Sequence, residues 1–158
     1  MPEVKLIAAI DDNYGIAKTG KLPWNVPSDR KYFQDHIKQG PVVMGWKTFE
    51  SNRFKAYGDG PNMVITRRNT EAVPGAWIVH DAVEFFNKNK ADVWVVGGGQ
   101  IFKQALPFAT KLYVTRISGD YGCDVFFPNF EKDFKLISEQ SVETENGIDF
   151  RYQIWSRK

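Results

Sequence analysis

The sequence predicts an α/β fold: a mostly parallel eight-stranded sheet, closed by an antiparallel C-terminal hairpin and flanked by four helices. Three observations predict it. Short β-branched runs recur along the chain, each bounded by glycine, proline or charge, as buried parallel strands are. Helical stretches separate these runs, and such alternation favours a parallel sheet with helices on both faces. The last two runs instead flank Glu145-Asn146-Gly147, where Asn-Gly is a strong hairpin signal.

In chain order, Val4–Ile10 reads as the first strand, followed by Pro41–Gly45, Met63–Thr66, Ala76–Val79, Val93–Val96 and Lys111–Ile117. Phe134–Val142 and Ile148–Trp155 form the hairpin. The helices are Ser28–Lys38, Trp46–Asn52, Asp81–Asn89 and Gln100–Leu106. Ser28 and Asp81 are the candidate caps, since short polar side chains accept from first-turn amides. No repeat or linker divides the chain, so residues 1–158 are expected to form one domain. Two long stretches, Asp11–Val26 and Ser118–Glu131, carry no regular signal, and loops of that length in a compact domain are usually functional.

Composition narrows the function. A 42% hydrophobic and 25% charged chain is ordinary for a globular protein. The net charge of +2 is small and spread in pairs such as Arg67-Arg68, which argues against nucleic acid. Cys123 is the one cysteine, so an internal disulfide and a cysteine-rich metal site are excluded. His36 and His80 lack metal-ligand spacing, and no metal is expected. The apolar run Leu6–Ile10 is too short for a signal core or a membrane span, so a cytoplasmic protein is expected.

Four local features carry chemistry. In Leu22-Pro23-Trp24-Asn25-Val26-Pro27-Ser28-Asp29, two prolines stiffen the approach to a helix with a carboxylate in its first turn. Asp29 and Phe33 share a helical face, and an apolar wall would raise the pKa of Asp29 toward a range useful for proton transfer. Taken alone, Asp29 reads better as a first-turn residue facing the helix dipole; the flanking Pro23-Trp24 and Phe33 shift the weight to function. In Val95-Val96-Gly97-Gly98-Gly99-Gln100-Ile101-Phe102, a strand enters a helix through three glycines, which lets backbone approach a ligand closely. Phe102 stands where the dinucleotide fingerprint has its third glycine. Val43-Met44-Gly45-Trp46-Lys47-Thr48 is a second strand-to-helix turn, with a lysine in it. Val64-Ile65-Thr66-Arg67-Arg68 places two arginines at a strand's carboxyl end, where open α/β sheets bind ligands. Each cation alone reads as solvated surface; together they suggest a phosphate-bearing cofactor.

Over essentially its whole length the chain resembles the dihydrofolate reductases of the bacterial chromosomal type. The likeness rests on Ala8-Ala9-Ile10, Gly15-Ile16-Ala17-Lys18, Leu22 to Asp29, Met44-Gly45 with Lys47-Thr48, and Thr66-Arg67. Val96 to Gly99, Leu112-Tyr113-Val114-Thr115 and Asp124-Val125-Phe126-Phe127-Pro128 follow in the same order. The resemblance implies a dihydrofolate-reductase-like fold and NADPH-dependent reduction of 7,8-dihydrofolate, supporting one-carbon metabolism. It implies antifolate binding and a monomer. The alternative is a related pterin or pyrimidine reductase of the same fold, not expected to keep Pro23-Trp24 with Asp29.

The resemblance also implies roles. Asp29 would contact the pteridine, Thr115 would support it through its hydroxyl, and Trp24 would hold an ordered water. Ile7, Ala9, Phe33 and Val96 would line the pterin slot. Thr48 and the turn Gly97, Gly98, Gly99, Gln100 would hold the pyrophosphate, with the Gly97–Gly98 peptide cis. Lys47 and Arg67 would meet the 2′-phosphate, with Arg68 as helper. Ala9, Ile16, Gly45, Trp46, Thr66, Ile101 and Phe102 would complete the cofactor surface. Asp124 would bond the mobile loop when closed. The chain departs from the family at four places. Gly60 stands where an arginine usually pairs with the folate glutamate, and Trp46 where an arginine often meets the 2′-phosphate. Arg30 replaces an apolar residue beside the aminobenzoate, and Ala17 replaces a loop glycine. Arg30 is the candidate to read the glutamate tail, with Arg53 second.

Overall fold

A computed structural model describes residues 2–69 and 73–158. The parallel strands are β1 (Val4–Ile10), β3 (Val42–Gly45), β4 (Asn62–Ile65), β5 (Trp77–Val79), β6 (Val93–Val95) and β7 (Lys111–Ile117). They pair in the order β7-β1-β6-β3-β4-β5. Strand β11 (Ile148–Arg157) adds antiparallel to β7. Strands β9 (Phe134–Glu139) and β10 (Glu143–Glu145) follow one another along the other edge of β11. They pair with Gln153–Arg157 and Ile148–Phe150 respectively, so they fill one strand position in two pieces. The sheet is therefore eight positions wide although it holds nine strands. The expected strand Phe134–Val142 stops at Glu139, opposite Gln153, and pairing resumes only at Glu143. The register shift between Ile154 and Trp155 lies within the pairing of β9 itself.

Period-2 alternation sorts side chains to two cores. Leu6, Ile10, Val43, Val93, Val95, Leu112 and Val114 pack on one face with Phe86 and Phe102. Those aromatics come from α3 (Ala82–Lys88) and α4 (Gly99–Ala105). Ile7, Val42, Met44, Val64 and Trp94 pack on the other face with Ile37 and Phe49. These two come from α1 (Pro27–Ile37) and α2 (Trp46–Ser51). No described helix is long and apolar enough to cross a membrane.

Two expectations need correction. Ser28 does not cap α1: the cap position is Val26, with Pro27 opening the helix. Ser28 instead meets Glu145, its amide donating at 2.8 Å and its hydroxyl at 2.6 Å. Proline's preset φ and missing N–H suit the first helical position better than a serine one residue later. Asp81, by contrast, accepts from the Glu84 amide at 3.0 Å and caps α3. The second correction concerns the two stretches without regular signal. They contain β2 (Gly15–Ala17) and β8 (Val125–Phe126), which pair antiparallel with each other.

Candidate active site

Strand pairing opens the site. β1 pairs with β6 only through Leu6–Val95, yet continues along β7 as far as Ile10–Arg116. Beyond Leu6 the sheet splits, and a cleft of about 1590 Å³ lies at the carboxyl ends of the strands.

At its apolar end, α1 carries Asp29 and Phe33 to the wall, facing Ile7 and Ala9 of β1 and Val96 beyond β6. Thr115 lies behind Asp29, not on the wall, and its hydroxyl donates to Asp29 Oδ1 at 2.6 Å. Burial pushes the Asp29 carboxyl above its ordinary value, and the Thr115 hydrogen bond partly opposes that rise. Tyr32 and Tyr152 stack at 4.0 Å beside this wall. Burial, helped by Tyr113 and Asp29, pushes the Tyr32 phenol up to about 12, so it keeps its proton at neutral pH. Trp24 also lines the cleft, and its buried Nε1 has no hydrogen-bond partner among the described residues.

The opposite end is built from backbone. The Gly97–Gly98 peptide is cis, and Gly97 has φ +124°. A Cβ on Gly98 would meet only Thr48 Oγ1, at 3.6 Å, so the absent side chain leaves a cradle of bare backbone. Neither α2 nor α4 has a side-chain cap, so their first-turn amides are free to face a ligand. The two helices span only six and seven residues. An anion at this wall would therefore meet individual amides and the cations Lys47 and Arg67 rather than long dipoles. Thr66, Ile16, Gly45, Trp46, Gly99, Gln100, Ile101 and Phe102 share this wall. The residues present fit a dinucleotide with a phosphate-rich end.

The structure does not bring two predicted cations to the wall. Arg68 sits over the Trp46 ring, 5.1 Å from its centroid, one ring removed from the cleft. Arg53 lies in the turn after α2 with φ +58° and does not line the cleft. Arg53, the second tail candidate, is thus not brought to the cleft wall, although Asn52 and Lys55 of the same turn are. Arg30 does line it, beside two lysines that sequence reasoning missed, Lys38 and Lys55. The bend after α2 docks on the end of α1 through the Asp59 amide, which donates to the Lys38 carbonyl at 2.7 Å. That docking, with the Phe33 and Tyr57 rings in edge contact, places both lysines on the cleft wall, so no local pattern could have signalled them. Gly60 packs against the Gly40 carbonyl so closely that a Cβ would lie 2.3 Å from its oxygen.

Asp124 accepts from the Thr19 amide at 3.0 Å, linking the stretch before α1 to the stretch after β7. Among the described residues, no group of three or more histidine, cysteine or acidic side chains could hold a metal.

Comparison with known proteins matches this architecture to one family. The dihydrofolate reductase family model matches residues 3–157. The chain is 35% identical to dihydrofolate reductase of Gallus gallus, with 96% of this chain and 94% of that protein covered. It is 34% identical to the Haemophilus influenzae enzyme, over 97% of this chain and 98% of that one. Among solved structures, Enterococcus faecalis dihydrofolate reductase complexed with NADP(H) and RAB-propyl superposes with a TM-score of 0.85. Identity there is 27%, and the match covers 98% of this chain and 96% of that one. With a family match running nearly end to end, and the acid wall and glycine cradle both in place, this chain belongs to the dihydrofolate reductase family.

Proposed function

We infer that this protein reduces 7,8-dihydrofolate to 5,6,7,8-tetrahydrofolate with NADPH. The observation that carries the reading is Asp29: a carboxyl on the apolar wall, raised in pKa by burial and tied to Thr115. A planar, weakly basic heterocycle bearing an amino group fits that wall. Asp29 can accept from the amino group and an adjacent ring N–H, while Phe33, Ile7 and Val96 exclude water around the ring. Trp24 Nε1 supplies a donor for an ordered water at the same end. When bound, NADPH supplies hydride from its nicotinamide to pteridine C6. The neighbouring N5 then needs a proton. Water admitted beside Ile16 and Leu22 delivers it, and Asp29 sets the field that favours it. The Gly97–Gly99 turn and Thr48 hold the pyrophosphate, Lys47 and Arg67 the 2′-phosphate.

At the rim, Arg30, Lys38 and Lys55 make no ion pair with any described residue. They serve the carboxylates of the substrate's glutamate. The protein acts as a cytoplasmic monomer, binds antifolates and has no nucleic-acid partner. The test of the activity is nicotinamide absorbance with NADPH and dihydrofolate, with a dihydropterin lacking the glutamate, and with no substrate. Substrate-independent oxidation, or none at all, would sink the reading.

A further inference from the structure

Asp11, at the end of β1, is 1% exposed and takes no part in the chemistry above. Its carboxylate is nonetheless among the most heavily bonded groups in the molecule. Oδ1 accepts from the amides of Asn13 at 2.9 Å and Gly15 at 2.8 Å. Oδ2 accepts from the Tyr121 amide at 3.0 Å and faces Cys123 Sγ at 3.6 Å. Burial opposes the charge, but the Tyr121, Gly15 and Asn13 amides outweigh it and hold the carboxyl below its usual range.

All these partners lie in the two long stretches beside the cleft, not in the sheet. Other contacts tie the same two stretches together. The Asp12 amide donates to the Gly119 carbonyl at 3.0 Å, and Gly119 returns a bond to Asp12 Oδ2 at 2.9 Å. The Phe127 amide donates to the Tyr14 carbonyl at 2.8 Å, and the Asp124 amide to that of Ala17 at 2.9 Å. Beyond Ala17 the pattern changes. Lys18 and Lys21 bond to each other, the Thr19 amide donates to Asp124 at 3.0 Å, and residues Lys18 through Leu22 are exposed. The stretch is thus a fixed root, Asp11–Ala17, carrying a lightly held tip. The root delivers Ile16 and Ala17 to the cleft wall, with Ile16 Cδ1 only 3.9 Å from where a Gly99 Cβ would stand.

We propose that Asp11 is a positioning residue for hydride transfer. By bonding the Gly15 peptide from one oxygen and the Tyr121 peptide from the other, it fixes the wall of Ile16 and Ala17 over the Gly97–Gly99 turn. This rests on the reductase reading. A wall misplaced by a fraction of an ångström costs rate without costing much ground-state affinity.

The test uses Asp11→Asn, Gly15→Ala, and Gly15→Ala combined with Cys123→Gly. In Asp11→Asn the amide nitrogen cannot accept from Tyr121. In Gly15→Ala the new Cβ would stand 2.4 Å from the Cys123 Cβ and 2.6 Å from its Sγ, so the root must shift. Cys123→Gly removes both, leaving a tight 3.0 Å approach to Asp11 Oδ1 that a shift of a few tenths of an ångström relieves. Thermal midpoint, dihydrofolate KM, NADPH affinity by tryptophan quenching and single-turnover hydride transfer are measured for each. We expect Asp11→Asn and Gly15→Ala to slow hydride transfer on the order of 10-fold or more, with KM nearly unchanged. The double variant should recover most of the rate. A folded Asp11→Asn with the wild-type transfer rate would overturn the proposal, as would a Gly15→Ala loss that Cys123→Gly fails to rescue. If Asp11→Asn does not fold, the glycine pair decides alone. A wild-type protein with no dihydrofolate-dependent NADPH oxidation would sink the reductase reading, and this role with it.

Discussion

The Thr115 hydroxyl donates to Asp29 Oδ1 at 2.6 Å, from a strand on the far side of the acid from the cleft. It opposes burial, the larger influence on Asp29. Removing it in Thr115→Val leaves burial unopposed, so the Asp29 carboxyl should titrate at higher pH than in wild type. The check is the pH dependence of single-turnover hydride transfer, whose Asp29-linked inflection should move upward. An unmoved inflection would detach Thr115 from the acid.

Asp29→Asn keeps size and the Thr115 contact but cannot ionise. At neutral pH its kcat/KM for dihydrofolate should fall on the order of 100-fold or more, with the deficit narrowing as pH falls and solvent protons substitute. Near-wild-type activity of a folded variant at neutral pH would remove Asp29 from its role.

The same variant makes an opposite prediction for the ligand-free protein. The folded-state pKa of Asp29 lies above its unfolded value, so the folded state holds the proton more tightly. The stabilisation from this group is complete below the unfolded pKa of about 3.9 and is lost as pH rises through the folded pKa. Asparagine does not titrate. Asp29→Asn should therefore have the higher Tm at neutral pH, and the difference should vanish in acid. Calorimetry across that range decides it; a Tm below wild type at neutral pH refutes it.

In the proposed site, cofactor choice would rest on Lys47 and Arg67, the two cations on the cradle wall. Charge-assisted phosphate contacts are each worth about 1.5–3 kcal/mol. Arg67→Ala should weaken NADPH binding by roughly 10–100-fold and leave NADH nearly unaffected. Titration of tryptophan fluorescence with both cofactors tests this, and an equal effect on the two would move the 2′-phosphate elsewhere.

In the proposed site, recognition of the glutamate would fall to Arg30, Lys38 and Lys55, which line the cleft. Arg30→Leu and Lys55→Ala should each raise KM for dihydrofolate several-fold, by about 1 kcal/mol for a partly solvated charge pair. A dihydropterin without glutamate should respond to neither. Equal effects on both substrates would mean these side chains only shape the rim.

Much of the fold is legible in the sequence because it is written in short-range patterns. β1 and β7 are mostly apolar runs of seven residues each, and both match the expected limits. The pairing of β2 with β8 is not legible. These strands span three and two residues, and backbone amides and one buried carboxylate hold them across a hundred positions of chain. No periodicity encodes such a contact. The site divides the same way. Asp29, Gly97–Gly99 and Thr48 sit in local motifs, whereas Lys38 and Lys55 come to one cleft through the docking of the bend after α2 on α1. Arg53 and Ser28 show the converse, residue types suited to a role that the local backbone steers elsewhere.

The close packing of Gly60 on Gly40 has an evolutionary consequence. A lineage seeking an arginine at position 60 could not gain it in one step, because the new Cβ would stand 2.3 Å from a backbone oxygen. The bend between α2 and β4 would first have to lengthen or turn outward, and neither change would help substrate binding until the arginine followed. The two changes would be epistatic, so single substitutions at the rim are the more accessible route. In a selection for tighter folate binding, improved variants should therefore accumulate around positions 30, 34, 38 and 55, all on the cleft wall, while position 60 stays glycine.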